Sequence, residues 1–391
     1  RVKGIDACSP EIWCRPEVFA QAFRYLKNHW VDDGSCKTLL ATYHVGEDFL
    51  DVVDGLRAID EAVRFLNLHC GDRLGHALAL GIDIDEWYES KSNKILINKM
   101  GYMDNLVWLY SKLRSYVIEG CDGVKSYIEN RFHEYFIEIY ENNIAGEAVR
   151  DIMGRAAGFF DRHGMAHNYH HEHLMFGIGE YYDSWKLRGD NPELYREGFF
   201  NLQGKIIDVW DEYAVNKNFP QNYKIRYNPE TAILYYMYHY NTNVKLTGDQ
   251  LVEVKVSRSM VEAVKKVRDV MQREICGIGI GIETNPSSNY MIGTFRRYDR
   301  HPITRWYNYG LTADQEALER CPQMQVSINT DDQGVISTYI EYEYAYLALA
   351  LEKCRDGKGG CKYNRTMILQ WLDNVRKMGI DQSFCHKGVQ V

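Results

Sequence analysis

Hydrophobic and polar positions along the chain change period several times, and those changes predict a chain in which strands alternate with helices. Residues 37 to 43, Lys-Thr-Leu-Leu-Ala-Thr-Tyr, are short, apolar and β-prone, and they end at His44, as a buried parallel strand would. Val53, Leu56, Ile59, Val63 and Leu66 then recur at helical spacing, with Gly71 as a stop. Arg73 and Leu74 carry a second strand toward His76. Far downstream, glycine and isoleucine alternate over 276 to 283, which predicts a strand ending at Glu283. Ser259-Met-Val-Glu262 reads as the capping box of a helix before it. Gln325 to Thr330 predicts another strand that ends at Asp331 and Asp332, and Ile336 to Leu351 predicts the next helix. Strands alternating with helices are the mark of βα units.

Between these two groups of strands lie about two hundred residues rich in Tyr, Trp and Phe, read mostly as helices. Leu106, Leu109, Leu113 and Val117 form one apolar stripe, and Ile128, Phe132, Phe136 and Ile139 another. The plain reading is an insertion that packs on itself; the alternatives are a lid or an oligomer contact.

Composition narrows the field without choosing a function. The 391 residues are 45% hydrophobic and 26% charged, enough for a full core and unlike a disordered chain. Acidic residues outnumber basic ones 54 to 46 with no long Lys/Arg block, which disfavours a polymeric nucleic acid as partner. No apolar run approaches the roughly 18 residues that cross a bilayer, and residues 1 to 11 lack a signal peptide's apolar stretch, so the expected location is cytoplasmic, away from membranes. Ten cysteines without a C-x-x-C pair predict buried free thiols.

The chemistry sits at the strand ends: Asp6 with Glu11, His44 with Glu47, His76, and Asp331 with Asp332. In a (β/α) barrel the carboxyl ends of the strands open on one mouth, so these groups would meet in space. Imidazole and carboxylate are suitable ligands for zinc, which can lower a bound water's pKa to about 7 and supply hydroxide at neutral pH. Each position also has a plainer reading: a lone strand-end histidine is commonly structural, and Asp331-Asp332 could cap the following helix.

Taken together, His44-Val-Gly-Glu47, Arg73-Leu-Gly-His76, Asn285-Pro-Ser-Ser-Asn289 and Ser327-Ile-Asn-Thr-Asp-Asp332 resemble, in order, the motifs of the adenosine deaminase family of metal-dependent amidohydrolases. Gly4-Ile-Asp-Ala-Cys-Ser-Pro-Glu11 resembles the family's preceding strand. The resemblance implies an α/β fold, the carboxy-terminal portion of a TIM-type (β/α) barrel. Strands 4 to 6 would fall in residues 1–83, a mainly helical insertion in 84–275, and strands 7 and 8 in 276–391. It implies zinc as cofactor and hydrolytic deamination of adenosine or an adenine nucleotide such as ATP to the inosine form, with release of ammonia. His44 and Asp331 would be metal ligands. His76 would orient the attacking water and take its proton, and Glu47 would protonate purine N1, which calls for burial beside the base. Asp332 would hydrogen-bond the ring near N7, with Asp6 and Ser9 also lining the base.

Two departures from the family stand out. Its His-x-His pair, two further metal ligands, does not precede His44; these ligands are expected from an upstream segment of a longer parent chain or from another chain. His171-Glu172-His173 is a His-x-His, but it falls in the insertion and is read as a polar surface or a local network. Ser9 also stands where the family has glycine. Arg296, Arg297, Arg300 and Arg305 cluster after the seventh family-like strand, a barrel region that often holds phosphate, and Arg296 and Arg297 are the expected phosphate contacts of a nucleotide. Barrel plus helical insertion is similar to large bacterial adenosine deaminases linked to antiphage defence, and a homo-oligomer is expected. The alternative is a non-catalytic assembly or scaffold subunit that retains the barrel.

Overall fold

The computed structural model describes residues 2–8, 10–27, 39–144, 174–192, 225, 228–293 and 295–384. Its centre is a parallel sheet of β1 (Gly4–Ala7), β2 (Leu40–Val45), β3 (Arg73–His76), β6 (Gly281–Thr284) and β7 (Val326–Ile328), paired in that order. The two intervening strands, β4 (Lys94–Asn98) and β5 (Leu251–Lys255), form a separate antiparallel pair. Parallel strands buried on both faces read as apolar runs. Ala41, Tyr43, Val45, Leu74, Ile282, Val326 and Ile328 are accordingly all buried.

Helix α1 (Ala20–Lys27) connects β1 to β2, and α2 (Val52–Phe65) connects β2 to β3. The chain then leaves the sheet for α3 (Lys99–Ser115) and α4 (Asp122–Phe136), and returns through α5 (Arg258–Ile278) into β6, which pairs directly with β3. Helices α6 (Ile340–Lys353) and α7 (Arg365–Asp381) follow β7. Among the described residues no helix is long and apolar enough to cross a membrane.

Several boundaries differ from the sequence reading for identifiable reasons. The glycine-isoleucine run does not begin as a strand: Cys276 to Ile278 form the last turn of α5, which Gly279 ends in the left-handed conformation at φ 83°. The helix is capped two residues earlier than expected, by Ser257 accepting from the Met260 N–H. Val117 leaves its stripe because α3 stops before it, and it is exposed. The second stripe, Ile128, Phe132, Phe136 and Ile139, is buried as its spacing predicts. After β7, a turn at Gln333–Ile336 delays α6. The described cysteines are free but not uniformly buried: Cys121 and Cys354 are buried, whereas Cys8, Cys70 and Cys361 are exposed.

Residues after β3 do not pack only on themselves. The polar face of α2 is covered by α3 and by residues 181–188. Arg57 donates to Glu61 at 2.7 Å, Asp54 at 2.9 Å and Asn105 at 2.9 Å, and Trp108 donates to Asp60 at 2.9 Å. Trp185 donates to Glu61 at 2.9 Å, and Arg188 spans both oxygens of Asp104. An amphipathic helix normally leaves its charged face in water. Here that face is buried, and its charges are paired.

Below the sheet, fully buried Asp72 ties three elements together. It accepts from the Ala41 N–H at 2.7 Å and the His69 N–H at 2.7 Å, and it pairs with the buried Lys27 ammonium at the end of α1. Removing one partner of a buried ion pair leaves the other charge uncompensated. Asp72→Ala should therefore destabilise the protein by on the order of 3–5 kcal/mol in urea denaturation; a loss below about 1 kcal/mol, the range of an exposed pair, would show the pair to be incidental.

Candidate metal and catalytic centre

The site follows from register. Parallel pairing sets His44 against Gly75 and Val45 against His76, so the β2 and β3 motifs end side by side. Gly75 leaves room there, because a Cβ at that position would lie 3.0 Å from His44 Cγ and the ring would have to give by a few tenths of an ångström. The His44 and His76 rings are 5.1 Å apart, centre to centre. Gly46, at φ 73°, turns the chain sharply after β2, and a Cβ on it would reach within 2.6 Å of Ile59 Cδ1. The turn is held from below by Glu11, which accepts from the backbone N–H groups of Gly46 at 2.6 Å and Glu47 at 2.9 Å. Burial pushes the Glu11 carboxyl up to about 7, against the backbone donors that favour its charge.

Positive φ marks two other corners. His76 and Ala77 have φ of 62° and 47°, and Asp331 has φ of 59°. Such conformations are costly for residues other than glycine and persist where packing over-determines them. Their effect is to aim His76 and Asp331 at one locus: Nε2 of His76 lies 3.6 Å from Oδ2 of Asp331, and Glu47 Oε1 lies 2.7 Å from His76 Nδ1. The other Asp331 oxygen accepts the next backbone N–H, that of Asp332, at 2.9 Å.

The structure thus brings together His44, Glu47, His76 and Asp331, with Asp6 at 3.3 Å from His44 Nδ1. Burial works against a charged His44, but the Asp6 carboxylate, with Glu283 and Glu47 behind it, more than compensates and raises its proton affinity. Asp332 caps the following turn, with Oδ1 accepting from Gly334 at 2.8 Å and Val335 at 3.3 Å, as the plainer reading held. Its other oxygen makes neither bond. Ser9 and the His171-Glu172-His173 run lie outside the described residues.

The arginines after β6 are occupied locally. Arg296 donates to the Gly293 carbonyl at 2.5 Å, and Arg297 grips Asp299 at 2.9 and 2.7 Å. Arg305 pairs with Asp83 at 3.2 Å. Arg297, Arg300 and Arg305 line a separate cleft of about 830 Å³ that includes none of the four converging residues.

Sequence reasoning quoted Asn285 and Asn289 in a motif without giving them a role, and it missed His301 in the wall behind His76. Asn285, Asn289 and His301 are buried around it, with Asn289 Nδ2 at 2.7 Å from His76 Nδ1 and His301 Nε2 at 3.0 Å from Asn289 Oδ1. The Asn-x-x-x-Asn spacing, one helical turn, was a readable signal that both amides share a face. Nothing in the sequence points to His301.

A cation fits this centre. One ligand atom each from His44, His76 and Asp331 lies within 4.8 Å of the others, and Asp6, Cys8 and His44 form a second such group. Glu47 Oε1 is buried without a hydrogen-bond partner. Among the described residues, no Lys or Arg pairs with Asp6, Glu47 or Asp331. These features define a class: an α/β protein with a His/carboxylate centre at the carboxyl edge of a parallel sheet. No model of a known protein family matches the chain, and no curated protein matches it either.

The two donor groups share His44 and are separable. If the His44–Asp331 side holds the ion, Asp331→Asn should weaken Zn²⁺ binding more than about tenfold in chelator competition, a ligand loss being at least as severe as loss of an outer-shell partner. Cys8→Ala should leave binding unchanged. The reverse pattern would assign the ion to the Asp6–Cys8 side.

Proposed function

We propose that this protein is a zinc-dependent hydrolytic deaminase of the adenosine deaminase type, acting on adenosine or an adenine nucleotide, and that its five parallel strands belong to a (β/α) barrel. The observation that carries this reading is the convergence of His44, Glu47, His76 and Asp331 from the ends of three strands, in the order the family motifs run. His44 and Asp331 would hold the metal, with further ligands from a His-x-His on an upstream segment or a partner chain. A zinc ion bound there would polarise a water and make it a competent nucleophile near neutral pH.

The chain's own residues divide the remaining work. Glu47 sits on a turn that Glu11 fixes, with Oε1 buried, 2.7 Å from His76 Nδ1 and making no aligned hydrogen bond, and a buried carboxyl so placed suits a proton donor. As the water's oxygen bonds to C6, one water proton passes to the Asp331 carboxylate, whose Oδ2 faces His76 Nε2, and Glu47 gives its proton to N1. The stored proton then goes to N6, the C6–N6 bond breaks and ammonia leaves. The remaining hydroxyl proton returns to Glu47 as the C6 carbonyl forms. Asp332 keeps one oxygen for the purine edge near N7.

Glu47→Gln should lower kcat by at least about a hundredfold, the span of a general acid's contribution, while zinc content stays that of the parent, since Glu47 is not a ligand. Ammonia release from adenosine, AMP and ATP, with and without a zinc chelator, ranks the substrates. No release from any of them by the metal-loaded full-length protein would favour the scaffold reading instead.

A further inference from the structure

His301 and Asn289 have no part in the mechanism above, yet both are almost completely buried and form a continuous chain to His76. Protons on imidazoles and the orientation of amides are ordinarily ambiguous from heavy-atom positions. Here two backbone N–H groups, which can only donate, remove the ambiguity. The Ile303 N–H points at His301 Nδ1 at 3.1 Å, so that nitrogen is an acceptor and the His301 proton is on Nε2. The Asn285 N–H points at Asn289 Oδ1 at 3.2 Å, so that atom is the amide oxygen. His301 Nε2–H therefore donates to Asn289 Oδ1, and the Asn289 amide presents an N–H to His76 Nδ1.

We infer that His301 and Asn289 are positioning residues that hold His76 in one tautomer, with Nδ1 as acceptor and the proton on Nε2, facing the reaction centre. Neighbouring contacts agree with that assignment. Glu47 Oε1 is close to Nδ1 but makes no aligned hydrogen bond, so Asn289 has that lone pair. The Asn285 amide nitrogen is 3.3 Å from one ring nitrogen and 3.2 Å from the other; a point so placed lies on neither in-plane axis and caps the ring instead. Burial pushes His301 down to about 3, so the relay stays neutral through the physiological range.

The consequence for chemistry, resting on the deaminase reading, is that His76 meets the attacking water as a donor through Nε2–H. A neutral imidazole with Nδ1 occupied and Nε2 protonated has no lone pair for a metal or for a water proton. In this tautomer His76 is therefore neither the base nor a ligand, although its ring stands in the His44–His76–Asp331 grouping, so the metal would rest on His44 and Asp331 and the water's proton goes to a carboxylate. This replaces the role that the family resemblance implies for it.

The test is long-range ¹H–¹⁵N NMR of full-length protein labelled at histidine, with His76 assigned by its loss in His76→Gln. The expected result in the parent is an unprotonated Nδ1 and a protonated Nε2. Asn289→Asp places an acceptor opposite Nδ1 and should invert that pattern; kcat should fall roughly ten- to a hundredfold, as for other loss of outer-shell support, with KM little changed. His301→Gln, which can still donate to Asn289, should retain more activity than His301→Leu. A protonated Nδ1 in the parent, or a pattern that Asn289→Asp leaves unchanged, overturns the inference. The NMR readout needs no turnover, so a protein that releases no ammonia but shows the expected tautomer refutes the deaminase reading and leaves the relay standing.

Discussion

In-register parallel pairing of β2 with β3 is the constraint on which the rest of the site depends. It puts His44 beside Gly75 and Val45 beside His76, and the carboxyl ends of the strands then share one edge of the sheet. A slip of one residue would send every side chain of a strand to the opposite face. The register is secured away from the chemistry, by Asp72 binding the start of β2, the turn before β3 and the end of α1. The glycine turn at Gly46 and the strained corners at His76 and Asp331 then aim the groups inward, and the packed surroundings absorb the cost of the latter two.

Burial of the charged face of α2 extends that rigidity outward. Arg57, Glu61, Asp60 and Asp104 lie in a low-dielectric layer between the sheet's helices and the segments that follow β3. Such a network contributes little if half satisfied and specifies one arrangement when complete. Its completeness depends on residues far apart in the chain: Trp185 and Glu61, which share a hydrogen bond, are 124 positions apart.

The centre itself is asymmetric. One side carries carboxylates that no Lys or Arg among the described residues neutralises, which favours a cation. The other side is a neutral chain of imidazole and amides with defined donors and acceptors. The proposed hydrolysis would use both: charge where the nucleophile forms, and fixed dipoles where it must be held.

Much of this was legible in the linear chain because it depends on local period and local chemistry. Strand-helix alternation, the buried stripe of α2 and the placing of His44, His76 and Asp331 at strand ends follow from apolar spacing and turn residues within a few positions. Gly75 and Gly46 were visible in the motifs, but the close quarters around them were not, since these arise from His44 and Ile59 lying close by in space. Only the tertiary structure decided that Glu11 supports the Glu47 turn, that the face of α2 is buried, and that His301 reaches His76 through Asn289. Each of these is a contact between segments far apart in sequence, and a hydrogen bond of that kind leaves no periodicity for the sequence to reveal.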